Sequence, residues 1–190
     1  MPKYFYCLFV IVIALSLQSC STILSAISAG PIKEDIGERS VGSFVDDEII
    51  ETKALVNIDK ADPELAQAHI VVTSYNGIVL LAGQVKTEEQ RQLAAKTVAK
   101  VSKVRRVHNE LTISGSSSMV ARSNDAWLTT KVKSKMLANT TLEGSRIKVV
   151  TENGVVYLMG LVTKEEADRA AELVRKTAGV QKVVRIFEYI

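Results

Sequence analysis

The chain is short of the residues from which most sites are built. Its 190 residues include two cysteines, two histidines, one tryptophan and three prolines. Cys7 and Cys20 both fall in the first twenty positions, so nothing downstream can form an internal disulfide. The longest apolar run, Tyr4 to Leu17, has about 14 residues, short of a bilayer-spanning helix. His69 and His108 have no convergent partners in the sequence, so a metal site or a nucleophile–base triad lacks material, and both read as strand-surface residues. The glycines mark strand turns rather than a phosphate-binding strand–loop–helix signature. Glu88-Glu89 and Glu165-Glu166 each follow a threonine, where acids complement the N-terminal dipole of a helix, so they read as capping residues. The net charge of +3, without an arginine–aromatic cluster, gives no case for nucleic acid. These absences argue against an enzyme: no catalytic residue, metal, cofactor or small-molecule substrate is expected.

What is present is a duplication. Ser74-Tyr75-Asn76-Gly77-Ile78-Val79-Leu80-Leu81-Ala82-Gly83 returns as Thr151-Glu152-Asn153-Gly154-Val155-Val156-Tyr157-Leu158-Met159-Gly160. In each copy an Asn-Gly pair between apolar runs predicts a type I′ hairpin turn. Around each hairpin the order is helix, two strands, helix, strand. Ile50, Ala54 and Ile58 mark the first helix, with Asp46 or Asp47 as its N-cap; Asn124 or Asp125 plays that part in the second copy. Thr87 and Thr163 cap the second helices. Lys103 stands where the other copy has Gly179, which predicts a looser turn into the third strand. The fold class is therefore α+β: two α-β-β-α-β modules, each a small three-stranded mixed sheet with two helices packed on one face. The boundaries are 46–113 and 124–190, with a Ser/Gly linker over 114–123.

Residues 1–19 read as a signal segment: a lysine, an apolar stretch, then small residues. Leu17-Gln18-Ser19-Cys20 resembles the lipobox of bacterial lipoproteins, in which the cysteine becomes the acylated first residue of the mature chain; Gln18 is unusual there. Acyl chains of the palmitate class on Cys20 would hold the protein to a membrane at about 0.8 kcal/mol per buried CH₂. Residues 20–45 form a tether, and Ser21 after the cysteine fits sorting to the outer membrane by the rules of such lipoproteins.

Strand parity turns Val79, Leu81, Val156 and Leu158 toward the helices. It leaves Ile78, Leu80, Val155, Tyr157 and Met159 on the opposite face, where polar residues are expected if that face meets water. Three states suit this candidate docking face: cover by the other module, cover by an external protein, or an uncovered sticky sheet.

The copies differ most in their first helix. In Asp125 to Leu137, Leu128, Val132 and Met136 share the core stripe, while Trp127, Thr130, Ser134 and Leu137 share the nearly opposite one, flanked by Lys131 and Lys133. A tryptophan among lysines suits the headgroup level of an anionic bilayer, with Thr130 and Ser134 able to approach phosphates. The alternative is that Trp127 packs against the first module or the linker near Met119 and Val120. The first copy has Ile49 and Glu51 in place of this cluster and is expected to be weak or silent.

Ile-x-Val-x-Thr, Asn-Gly-x-Val-x-Leu-x-Gly, the Thr-capped helix and the last strand together resemble the BON domain. With the lipobox cysteine and tether, the whole chain resembles the tandem BON-domain outer-membrane lipoproteins. That resemblance implies a non-enzymatic protein that binds anionic phospholipid (phosphatidylglycerol, cardiolipin) through its second BON domain. It also implies a role in envelope integrity, with enrichment at the division site. A protein-docking adaptor for an outer-membrane assembly factor or division component is the other reading. The expected location is the outer membrane, lipid-anchored and facing the periplasm.

Overall fold

The computed structural model describes residues 39–190. Cys20, the signal segment and most of the tether lie outside them. The first module runs α1 (Val41–Ala61), β1 (His69–Tyr75), β2 (Ile78–Val85), α2 (Glu88–Val98) and β3 (Arg106–Ile113). The second runs α3 (Met119–Leu137), β4 (Lys148–Glu152), β5 (Val155–Val162), α4 (Lys164–Arg175) and β6 (Lys182–Tyr189). In each, the middle strand pairs antiparallel with the first and parallel with the third, which gives the mixed sheets expected.

The Asn-Gly turns take the positive φ that type I′ requires, with Asn76 at 52° and Gly77 at 74°, Asn153 at 48° and Gly154 at 72°. The closing glycine has a separate cause. A Cβ on Gly83 would lie 2.0 Å from the His69 carbonyl oxygen, and one on Gly160 would lie 2.9 Å from that of Arg146. The neighbouring strand passes too close for a side chain. Thr87 and Thr163 cap α2 and α4, the latter in a full capping box with Glu166.

Three expectations are corrected. Helix α1 begins five residues before Asp46, capped by Ser40, and α3 begins at Met119, capped by Ser118. Tether and linker are therefore shorter than the composition suggests. Asp47 and Asp125 are not caps. Each is buried and accepts hydrogen bonds from its hairpin turn: Asn76 N at 2.7 Å and Gly77 N at 2.9 Å for Asp47, Asn153 N at 2.7 Å and Gly154 N at 2.9 Å for Asp125. Lys103 adopts φ of 70°, so its turn is left-handed like that of Gly179, and its ammonium reaches Asp46 at 2.7 Å.

Each module has its own core between helices and sheet, around Ile50, Ala54, Val79 and Leu81 in one and Leu128, Val132, Val156 and Leu158 in the other. A third core joins the modules. Tyr75, Ile78, Leu80 and Ala82 pack with Tyr157, Met159 and Ile186, and Val155 is partly buried against them. Leu80 and Met159 are fully buried. The candidate docking face thus lies in the seam between the two sheets, where each module covers the other. The layers run helices, sheet, sheet, helices.

Polar contacts rim this seam. Glu152 accepts from Gln84 Nε2 at 2.8 Å and meets His69 Nε2 at 3.2 Å. Lys148 reaches Glu51 at 2.7 Å, and Tyr75 donates its hydroxyl to the Arg146 carbonyl at 3.0 Å. Arg105 grips Glu188 with two nitrogens, at 3.0 and 2.7 Å. Burial, with Glu110 and Glu152 nearby, pushes the Tyr157 hydroxyl up to about 12, so it remains neutral within the seam. Among the described residues the three cores draw on side chains from Ile50 to Phe187, and both modules belong to one compact unit.

Candidate functional site

Helix α3 is held by what its inner face does. Leu128, Val132 and Met136 are buried in the second core. Asp125 is fixed by the turn amides, and Thr129 donates to the Thr151 hydroxyl at 2.7 Å. With that face committed, the helical period turns Trp127, Thr130, Ser134 and Leu137 to solvent. Trp127 is 58% exposed and Leu137 67%. Met119 and Val120, both 80% exposed, do not cover the indole. Lys133 is exposed as well.

Lys131 has a different surrounding. Its ammonium lies 4.6 Å from the centroid of the Trp127 ring and donates to the Ala178 carbonyl at 3.0 Å. The lysine therefore braces the indole from the α4 side; a cation over an exposed ring is worth about 0.5–1 kcal/mol. Thr130 gives its hydroxyl hydrogen to Ala126 O, one turn back, at 3.0 Å. It is thus engaged within the helix and does not stand ready to donate to a phosphate.

On the other side of α3 lies a crevice between the modules. Lys133, Leu137 and Lys148 line it from the second, Phe44 and Tyr75 from the first. Arg39 closes one end. Its guanidinium stacks 4.2 Å from the Tyr75 centroid and 5.4 Å from that of Phe44, and pairs with Asp47 at 3.0 Å. Burial acts to raise the Asp47 pKa, but hydrogen bonds from Ser74, the Gly77 and Asn76 amides and Arg39 outweigh it and hold the carboxyl below its ordinary value. The start of the described chain is thereby fastened beside the exposed stripe of α3.

Sequence reasoning missed the outer face of α1. Phe44, Val45 and Ile49 are exposed and form an apolar strip along the helix. The signal was present in the spacing of Val45, Ile49 and Val56, but the comparison between copies rested on lysines, of which this face has few. Among the described residues, no helix is long and apolar enough to cross a membrane, and no group of three or more His, Cys, Asp or Glu could hold a metal.

The BON domain family matches the chain twice, over residues 46–115 and 124–189. The chain is 37% identical over 174 residues to the outer membrane lipoprotein DolP of Haemophilus influenzae, spanning 92% of this chain and 90% of that protein. It is 37% identical over 155 residues to a 21 kDa hemolysin of Actinobacillus pleuropneumoniae, spanning 82% and 80%. It is 32% identical over 162 residues to the osmotically-inducible protein Y of Escherichia coli, spanning 82% and 78%. The chain belongs to the BON-domain family and carries two copies of the domain in tandem.

Proposed function

We propose that this protein is an outer-membrane lipoprotein, acylated at Cys20 and facing the periplasm, that binds anionic phospholipid through the outer stripe of α3. The observation that carries the reading is Trp127: a lone tryptophan, 58% exposed, on a helix whose inner face is fully committed to the core. An amphipathic ring at that place gains by entering the headgroup layer. Lys131 and Lys133 flank it, and each cation near an anionic surface adds about 1 kcal/mol. Leu137 supplies a second apolar contact. The similarity to a protein named as an outer membrane lipoprotein supports the anchor and the compartment. On this reading the protein is not an enzyme; it supports envelope integrity, and does so at the division site, where a surface of suitable lipid composition recruits it.

Burial of the outer sheet face between the modules favours the lipid reading over a protein-docking adaptor that would use that face.

Flotation of residues 39–190 with vesicles tests the proposal. Binding to phosphatidylglycerol or cardiolipin vesicles, absent with phosphatidylcholine and weakened by salt, is the expected result. Equal flotation on both lipids, or none on either, would contradict it.

A further inference from the structure

An open groove of about 950 Å³ lies between the C-terminal half of α3, the outer face of α4 and β6. It lies on the side of α3 opposite the intermodule crevice, past Lys131, whose ammonium already reaches the α4–β6 loop. Five cations line the groove against two carboxylates. Glu172 is shared by two of these cations, Arg175 at 2.7 Å and Lys176 at 3.1 Å. Asp168 pairs with Arg185. Lys135 and Arg169 have no ion-pair or hydrogen-bond partner among the described residues, and both are exposed. Ala138 and Leu173 are the apolar members of the lining.

We propose that this groove binds an anion with two phosphate groups, those of one lipid headgroup in the bilayer against which α3 lies. The placement in the membrane rests on the lipid reading of α3; the anion site does not. One phosphodiester would offset a single charge of a surface with three surplus cations, whereas two borne by one molecule offset most of them. Lys135 and Arg169 supply the uncommitted charge, and Arg175 or Lys176 can leave the carboxylate they share at small cost, since exposed ion pairs contribute little. The aliphatic stems of these side chains and Leu173 suit the glycerol backbone that such a headgroup brings with it.

The test compares residues 39–190 with the double variant Lys135→Gln/Arg169→Gln, whose substituted side chains touch neither core nor seam. Vesicles of phosphatidylcholine carry either cardiolipin or phosphatidylglycerol at equal total phosphate. The wild type should favour cardiolipin, and the double variant should lose that preference by roughly thirtyfold, from two cations each worth about 1 kcal/mol near an anionic surface. Binding to phosphatidylglycerol through Trp127 should survive. A second arm titrates inorganic pyrophosphate without vesicles and follows amide NMR shifts. Shifts confined to Lys135, Arg169 and their neighbours, and lost in the double variant, support the anion site. If they occur while the vesicle preference is unchanged by the double variant, the anion is a soluble one and the headgroup assignment is overturned. No vesicle preference and no groove shifts overturn the site itself. Trp127→Glu separates this from the reading it rests on: that variant should leave the pyrophosphate shifts intact whatever it does to flotation.

Discussion

Asp47 Oδ1 accepts the Gly77 amide at 2.9 Å, and Asp125 Oδ1 accepts the Gly154 amide at the same distance. One carboxylate from the first helix thus ties down the hairpin turn in each module. A type I′ turn leaves its amides pointing outward, and a buried acid on the adjacent helix satisfies them. Helix and hairpin are locked in register by this contact, so the outer stripe of α3 is set partly from its own turn.

Replacing either acid with alanine leaves two turn amides without their partner. Asp47→Ala and Asp125→Ala should each cost roughly 2–4 kcal/mol, in the range for stranded buried donors. Urea unfolding of residues 39–190 measures it. Asp47→Ala should be the more severe, because Ser74 and Arg39 also lose their acceptor. Equal, sub-kilocalorie effects would mean that the turns hold without the carboxylates.

Acid should expose the same contact. The Asp47 carboxyl titrates below its ordinary value in the folded protein, so its stabilisation is complete above the unfolded-state pKa of about 3.9 and is lost as pH falls through the folded-state value. Glu188 is likewise held low: burial would raise it, but Arg105 and Asn76 outweigh that effect. The stability advantage of wild type over Asp47→Asn, read from urea midpoints, should be largest at neutral pH and shrink below about pH 4.

The seam between the sheets should make the two modules melt together. Leu80→Ala removes a fully buried side chain from it and should cost about 2–5 kcal/mol. Leu80→Asp, which places a charge there, should separate the modules into two calorimetric transitions. A single unchanged transition in Leu80→Asp would show that the modules are not coupled through this face.

The duplication, both hairpins, the strand order and the inward parity were legible because each is local: Asn-Gly fixes a turn, and a period of two fixes a face. The outward position of Trp127 followed from the same arithmetic, since Leu128, Val132 and Met136 leave the indole one side to occupy. What could not be read was long-range. Asp47 looks like any helix-start acid until its turn, 29 residues on, is folded against it. The apolar face of Leu80 and Tyr157 shows that something covers the sheet, but only packing shows that the cover is the sister sheet. The early starts of α1 and α3 were hidden by serine-rich stretches whose Ser40 and Ser118 serve as caps.

Trp127→Glu gives the most direct measurement of the lipid account. The indole is exposed and Lys131 stands over its ring, so the variant should keep its fold and its unfolding midpoint. Amide NMR shifts of α3 on titration with phosphatidylglycerol micelles should appear in the wild type and vanish in the variant. The same shifts persisting in Trp127→Glu would show that lipid is held elsewhere and that the stripe through Trp127 is not the site.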